Sequence, residues 1–244
     1  MKASPDAQRR LLDLQAVDTA LAQLAHKRKS LPELAEIDAA SREISALEDE
    51  RVRAQVAVDD LERDISRFEK DIEQVRARKA KDQARLDAGG ALREIEGLQH
   101  ELATLNRRQS ELEDAELELM EQKETADAAL AEVSGRLAAA VERREAAERR
   151  RDEALADIAK EQEFKSSSRA PLAADLPADL VGLYDKIRLE SGLGAALFRS
   201  GRCGGCRIEL YGADLARVKA AAADDVVRCE ECRRIMVRTA ESGL

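Results

Sequence analysis

"RLDAGGALREIEGL", Arg85 to Leu98, interrupts a long charged helical pattern at Gly89-Gly90. Two adjacent glycines cost about 2 kcal/mol in a helix interior, and they permit the left-handed backbone that ends one. The pattern on each side is helical and of similar length, so the natural partner of each arm is the other. The sequence therefore predicts an antiparallel helical hairpin with its turn near residues 88–91. A continuous helix dimerising with a second chain is the alternative, and the glycine pair argues against it. About fifty residues per arm, at about 1.5 Å each, make a rod of roughly 75 Å.

The incoming arm carries a strict heptad register: Ile37, Ala40, Ile44, Leu47, Arg51, Ala54, Val58, Leu61, Ile65, Phe68, Ile72 and Val75. Arg51 alone is polar in this seam, and charged residues fill the other faces, as a coiled coil requires. An ordinary amphipathic helix would bury a wider stripe. The outgoing arm restarts the seam with Leu92, Ile95, Leu98, Leu102, Leu105, Leu112 and Leu119. It continues through Ala126, Leu130, Val133 and Leu137.

Composition points the same way. Charged residues make up 37% of 244 residues and aromatics 2%, which suits long helices better than an aromatic-rich globule. A regularly spaced hydrophobic fraction of 44% weighs against disorder. The net charge of −9 means that any polyanion-binding surface must be local. No apolar run reaches the roughly 18 residues of a membrane span, and the start MKASPDAQRR has no apolar signal core. The expectation is a cytoplasmic protein without a membrane partner.

Upstream of the hairpin, Leu11, Leu14, Val17, Leu21, Leu24 and Leu31 form one helical stripe. A break is expected at residues 30–32, where Ser30 and Glu33 can form a capping box and Pro32 fits a first turn. Downstream, Lys165-Ser166-Ser167-Ser168-Arg169-Ala170-Pro171 reads as a linker. The chain is thus expected to divide into a helical hairpin region, 1–168, and a C-terminal region, 169–244. That second region should hold a short helix near Leu180–Ile187 ended by Gly192 and Gly194. Extended pieces are expected at 195–199, 207–210, 226–228 and 235–238, with a helix at 214–222.

All four cysteines lie in that region, as Cys203-Gly204-Gly205-Cys206 and Cys229-Glu230-Glu231-Cys232. Two CxxC knuckles can deliver four thiolates to a tetrahedral ion at about 2.3 Å. A thioredoxin-like redox pair needs one CxxC in a βαβ setting, which is absent from this pattern. In a reducing compartment, metal is favoured over disulfide. Zinc is favoured over iron, which accepts the same ligands. Four thiolates fill the shell, so one zinc ion here is structural, and a segment this small needs such a staple.

At this point the chain resembles a bacterial family of coiled-coil proteins with a C-terminal C4-type zinc ribbon, long catalogued as a domain of unknown function. The likeness is carried by "ALREIEGLQHEL" (Ala91–Leu102), "LEDAELELMEQKE" (Leu112–Glu124) and the ribbon's "CGGC" and "CEECRRIMV". The family pattern has Gly after the last cysteine and an aromatic near the end; here Arg233 and Val237 stand there. Members have been linked to RNA binding, flagellar gene control and binding of an alternative sigma factor. The resemblance implies a regulatory or adaptor role.

An adaptor docking a protein of the transcription machinery along the coiled coil is the alternative to the leading expectation, a non-enzymatic regulator that binds nucleic acid through two basic surfaces. One is the ribbon, with Arg202, Arg207, Arg228, Arg233 and Arg234 around the knuckles. These arginines equally suit neutralisation of a zinc–thiolate centre of formal charge −2. The other is the hairpin tip, with Arg76, Arg78, Lys79, Lys81 and Arg85; a solvated coiled-coil face explains it as well. Platforms for stacking bases are scarce, with Tyr211 and Phe198 nearby. No phosphate loop, catalytic triad or dinucleotide fingerprint is present, which argues against an enzyme and against a small-molecule substrate. The self-paired arms favour a monomer.

Overall fold

A computed structural model describes residues 1–243. Four helices lead: α1 (Pro5–Lys29), α2 (Pro32–Asp87), α3 (Leu92–Ala174) and α4 (Ala178–Ser191). A small sheet follows, built from β1 (Ala195–Arg199), β2 (Arg202–Cys203), β3 (Val227–Arg228) and β4 (Ile235–Val237). Helix α5 (Gly212–Ala220) lies between β2 and β3, and a 3₁₀ turn over Ala240–Ser242 closes the chain. Packing groups these elements into two compact units: Ala35–Glu148, and Met1–Leu34 with Arg149–Leu244.

The first unit is the hairpin. Its turn uses Gly89 at φ 80, a conformation open to glycine at no steric cost. Ile44, Leu47, Val133 and Ala140 form one buried cluster, and Val58, Ile72, Leu98 and Leu112 are buried along the same seam. Cross-arm ion pairs nest inside one another: Glu43 with Arg143, Glu50 with Arg136, Glu62 with Lys123, Arg76 with Glu113, and Arg85 with Glu94. That nesting is what antiparallel pairing imposes. Toward the tip the heptad spacing runs on into Lys79 and Asp82. Asp82 has no exposure and is held by Arg78 at 2.8 Å.

The second unit is built on α1. Leu11 and Leu14 have no exposure and share a core with Leu180, Tyr184, Ile187, Ala195, Ile235 and Val237. The sheet order is β2-β1-β4-β3, with β1 parallel to β4 and the other pairs antiparallel. Side chains alternate across a strand, so Ile235 and Val237 face α1 and α4 while Met236 faces a second core. Lys2 bridges to Asp225, and the Ala3 amide donates to the Asp224 carbonyl at 2.8 Å, extending the sheet's edge with the first residues of the chain.

Three local expectations are corrected. Ser30 does not cap α2: its hydroxyl and amide donate to the His26 carbonyl and close α1. The extended piece expected at 207–210 is not a strand. Arg207 sits at φ 64 in a turn, and pairing falls instead on Arg202–Cys203, with a bridge from Arg202 to Glu209.

The Lys165–Pro171 linker is helical, so the boundary drawn at 168/169 falls inside α3. Pro171 removes one helix hydrogen bond, and three serines are weak helix formers. Tertiary contacts override both. Arg169 donates to both carboxylate oxygens of Asp18, at 2.7 and 3.2 Å, and to Asp185 at 2.6 Å. Tyr184 adds a hydroxyl to Asp18 at 2.7 Å, and Leu172 and Ala173 pack on the core. Ser167 and Ser168 hydroxyls fold back onto the Phe164 carbonyl.

Because the Asp18 side chain is 2% exposed, removing its main cation leaves a buried charge with only Arg188 nearby, at 3.3 Å. Arg169→Ala should therefore cost about 3 kcal/mol in denaturant unfolding. Hydrogen exchange should rise selectively over residues 164–174. Unchanged protection there would mean that the clamp does not hold this segment helical.

Candidate metal centre and its surroundings

The two knuckles repeat each other atom for atom in the backbone. In the first, the Cys203 amide donates to Ile208 O (3.1 Å) and the Arg207 amide to Cys203 O (2.7 Å). In the second, the Cys229 amide donates to Arg234 O (2.9 Å) and the Arg233 amide to Cys229 O (2.9 Å). Amides of Gly205 and Cys206 point at the Cys203 sulfur, and those of Glu231 and Cys232 at the Cys229 sulfur. Each loop thus aims two N–H dipoles at a sulfur that must carry negative charge.

The four sulfurs lie within 4.8 Å of one another. The cross-knuckle pairs Cys203–Cys232 and Cys206–Cys229 are 3.8 and 3.9 Å apart. Thiolates about 2.3 Å from a tetrahedral zinc ion would be about 3.8 Å apart, so the set fits one structural zinc. Burial pushes the Cys229 thiol up to about 12 and raises that of Cys203. At Cys232 burial also acts upward, but hydrogen bonds from the Arg234 amide and the neighbouring thiols outweigh it and bring the thiol down. Four thiols so enclosed cannot ionise together without a cation, and a divalent ion supplies that charge.

Neither Gly204 nor Gly205 has a positive φ. Gly204 serves by its size. A Cβ there would stand 2.6 Å from the Leu197 carbonyl, to which its own amide donates at 2.9 Å. The left-handed positions are instead Arg207 (φ 64) and Arg233 (φ 61), each directly after the second cysteine of its knuckle.

The candidate binding arginines are largely committed. Arg202 pairs with Glu209 at 2.8 Å and Arg233 with Glu230 at 3.4 Å. Arg228 donates to the Arg233 carbonyl and Arg234 to the Ser191 carbonyl, both at 2.9 Å. At the hairpin tip, Arg76 meets Glu113, Arg78 meets Asp82 and Glu101, Lys79 donates to Gln109, and Arg85 lies near Asp82 and Glu94. Arg207 and Lys81 are exposed and have no side-chain partner among the described residues.

The sequence reading missed the supports of the site. Gln15 accepts the Gly194 and Ala195 amides at 2.7 and 3.2 Å, pinning the start of β1. Gln8 donates to the carbonyls of Ala3 and Ala223. Arg238 donates to carbonyls of Val218, Ala221, Ala222 and Asp225 and ties the loop after α5. Gln8, Gln15 and Asp18 stand at helical spacing beside Leu11 and Leu14, a polar stripe inside an apolar one that could have flagged a buried interface.

Metal binding requires lost protons, so zinc affinity should rise with pH, with up to about four protons released per ion. The metal-free ribbon should behave oppositely. Burial raises the Cys203 and Cys229 thiols above their ordinary 9.0, so folding retains protons at these two, and their contribution to stability is lost as pH climbs past that value. Chelator competition and denaturation with and without zinc read these opposed trends. Identical pH profiles would exclude the thiols as ligands.

Relief of the left-handed arginines gives a second test. Arg233→Gly or Arg207→Gly should stabilise the ribbon by about 1 kcal/mol in denaturant midpoint. A loss instead would show that the side chains hold the knuckles together.

Comparison with known proteins agrees with this architecture. Residues 14–192 match the CT398-like coiled coil hairpin domain, and residues 202–236 match the C4-type zinc ribbon domain. An uncharacterized protein of Mycobacterium tuberculosis is 40% identical over 239 residues, 98% of each chain. A solved structure from Mycobacterium smegmatis is 36% identical with a TM-score of 0.87, covering 98% of this chain and 100% of that one. CT398 from Chlamydia trachomatis, at 20% identity and a TM-score of 0.67 over 96% of this chain and 98% of its own, shares the fold. With a self-paired coil leading into a four-cysteine ribbon, the chain belongs to the CT398-like coiled-coil hairpin family with a C4-type zinc ribbon.

Proposed function

We propose that this chain is a non-enzymatic, monomeric adaptor that docks a protein partner on its coiled-coil hairpin, with the zinc ribbon as a folded end-piece. A full thiolate shell leaves the metal no position for substrate, which supports a binding role over a catalytic one. No helix among the described residues is long and apolar enough to cross a membrane.

One observation favours a protein partner over nucleic acid: the state of the basic residues. Eight of the ten candidates, all but Arg207 and Lys81, already meet a carboxylate, an amide oxygen or a backbone carbonyl. Exposed pairs are individually weak, and a phosphate could displace one. The displaced carboxylate nonetheless stays beside the phosphate, on a chain of net charge −9. The hairpin meanwhile leaves Val52, Val56, Leu117 and Met120 between 49% and 59% exposed.

The nucleic-acid reading keeps one observation in its favour. Arg207 is exposed, without a side-chain partner among the described residues, and held in a left-handed turn beside the metal centre, and strain of this kind gathers at functional positions.

The two readings separate by capture from host lysate on the zinc-loaded chain, with and without nuclease. The adaptor reading expects a protein retained after nuclease. Loss of every partner on nuclease treatment, together with oligonucleotide affinity that falls steeply with salt, would replace it with the nucleic-acid reading.

A further inference from the structure

The hairpin seam is not apolar throughout. Between Leu119 and Ala126 the heptad position falls on Lys123. Its ammonium leaves the seam to meet Asp127 at 2.9 Å and, across the arms, Glu62 at 3.2 Å. Asp127 first and Glu62 second hold that ammonium above its ordinary range, so its charge is already committed. Where a lysine replaces a seam leucine, the arms cannot close over an apolar contact. A groove opens there, lined by Glu62, Ile65, Ser66, Glu69, Met120 and Glu124, with Lys123 and Asp127 at its edge.

Its chemistry is lopsided. Ile65 is half-buried on the α2 side, and Met120 is 49% exposed on the α3 side. Leu117, 59% exposed, lies one turn before Met120 on the same helix face. Four carboxylates line the groove against one ammonium. Two of them, Glu69 and Glu124, have no cationic partner among the described residues. The neighbouring cations Arg63 and Arg67 are engaged on their own helix by Asp60 and Asp64.

We propose that this groove docks a cationic amphipathic helix of a partner protein. Apolar side chains of that helix would seat on Ile65, Met120 and Leu117, and its lysines or arginines would meet Glu69 and Glu124. Methionine suits such a contact because its unbranched, polarisable side chain adapts to the shape it meets. An apolar stripe read at helical spacing and flanked by complementary charge is the general pattern of helix-in-groove recognition. The occupant cannot be an acidic helix, since like charges across the rim would oppose it. This assignment rests on the adaptor reading and specifies its partner.

The test uses the full zinc-loaded chain and fluorescence anisotropy with three labelled peptides of about 18 residues, about five helical turns. They are a Leu/Lys amphipathic helix, its Leu/Glu counterpart, and a Lys/Ser peptide of equal charge without an apolar face. The Leu/Lys peptide should bind more tightly than the other two by about tenfold or more. Glu69→Lys with Glu124→Lys should abolish that advantage and admit the Leu/Glu peptide. Met120→Ser should weaken the Leu/Lys peptide by about tenfold with charge unchanged. Asp49→Lys with Glu161→Lys makes the same change in net charge at exposed carboxylates elsewhere that have no cationic partner among the described residues, and should alter binding by about twofold or less.

Equal loss in that control pair, or equal binding of the Lys/Ser peptide, would reduce the effect to general attraction and overturn the assignment. Lysate capture then separates the two levels. If the Glu69→Lys, Glu124→Lys chain still retains the nuclease-resistant partner, the groove is wrong and the adaptor reading stands. If the unaltered chain retains none, the adaptor reading falls first.

Discussion

The zinc ribbon is too small to fold on apolar burial, and the second unit is organised around that shortage. A sheet whose strands are two to five residues long cannot offset its chain entropy with one covered face. Here both faces are covered. One meets Leu11 and Leu14 of α1 and Leu180, Tyr184 and Ile187 of α4; the other meets Val218 of α5 and the cysteines. All three residues of β4 are buried as a result. Zinc closes the second core in the way a disulfide closes a small secreted domain, but with ligands that a reducing environment keeps available.

This dual covering explains what was legible in the sequence. The hairpin could be read because its information is local: heptad spacing for the arms, a glycine pair for the turn. The metal centre could be read because CxxC spacing is itself the geometry of a knuckle. The role of α1 could not, because nothing in Leu11, Leu14 or Gln15 names a partner some 180 residues away. The helical state of Lys165–Pro171 was hidden for the same reason. Serine and proline report local preference, whereas Arg169 acts through Asp18 on another helix. Misreadings thus fall where tertiary contacts outweigh local propensity.

The left-handed arginines are a different departure. The repeated knuckle backbone demands a positive φ at the residue after its second cysteine, and glycine meets that demand without strain. This chain places arginine there twice. Neither side chain has a strong internal contact: Arg233 reaches Glu230 at 3.4 Å, and Arg207 reaches nothing among the described residues. A cation beside four thiolates and one divalent ion lessens the excess negative charge of the centre. That contribution needs only proximity, which an exposed side chain on a fixed turn supplies.

The hairpin faces a conflict of its own. A wholly apolar seam would be more stable, yet this one carries Lys79, Asp82, Gln109 and Lys123 at seam spacing, and each finds a partner across or along the arms. A buried polar group tolerates only the alignment that satisfies it, so such positions oppose slippage of one arm along the other. Asp82, without exposure at the tip, is held within α2 by Arg78, and Arg78 carries the link across the arms to Glu101 at 2.7 Å. Lys123 does more than fix alignment. It pairs with Glu62 and Asp127 at the edge of a groove where Glu69 and Glu124 have no cationic partner among the described residues and Met120 is 49% exposed. The interruption that opposes slippage is therefore also the place where the hairpin opens an acidic groove beside Met120.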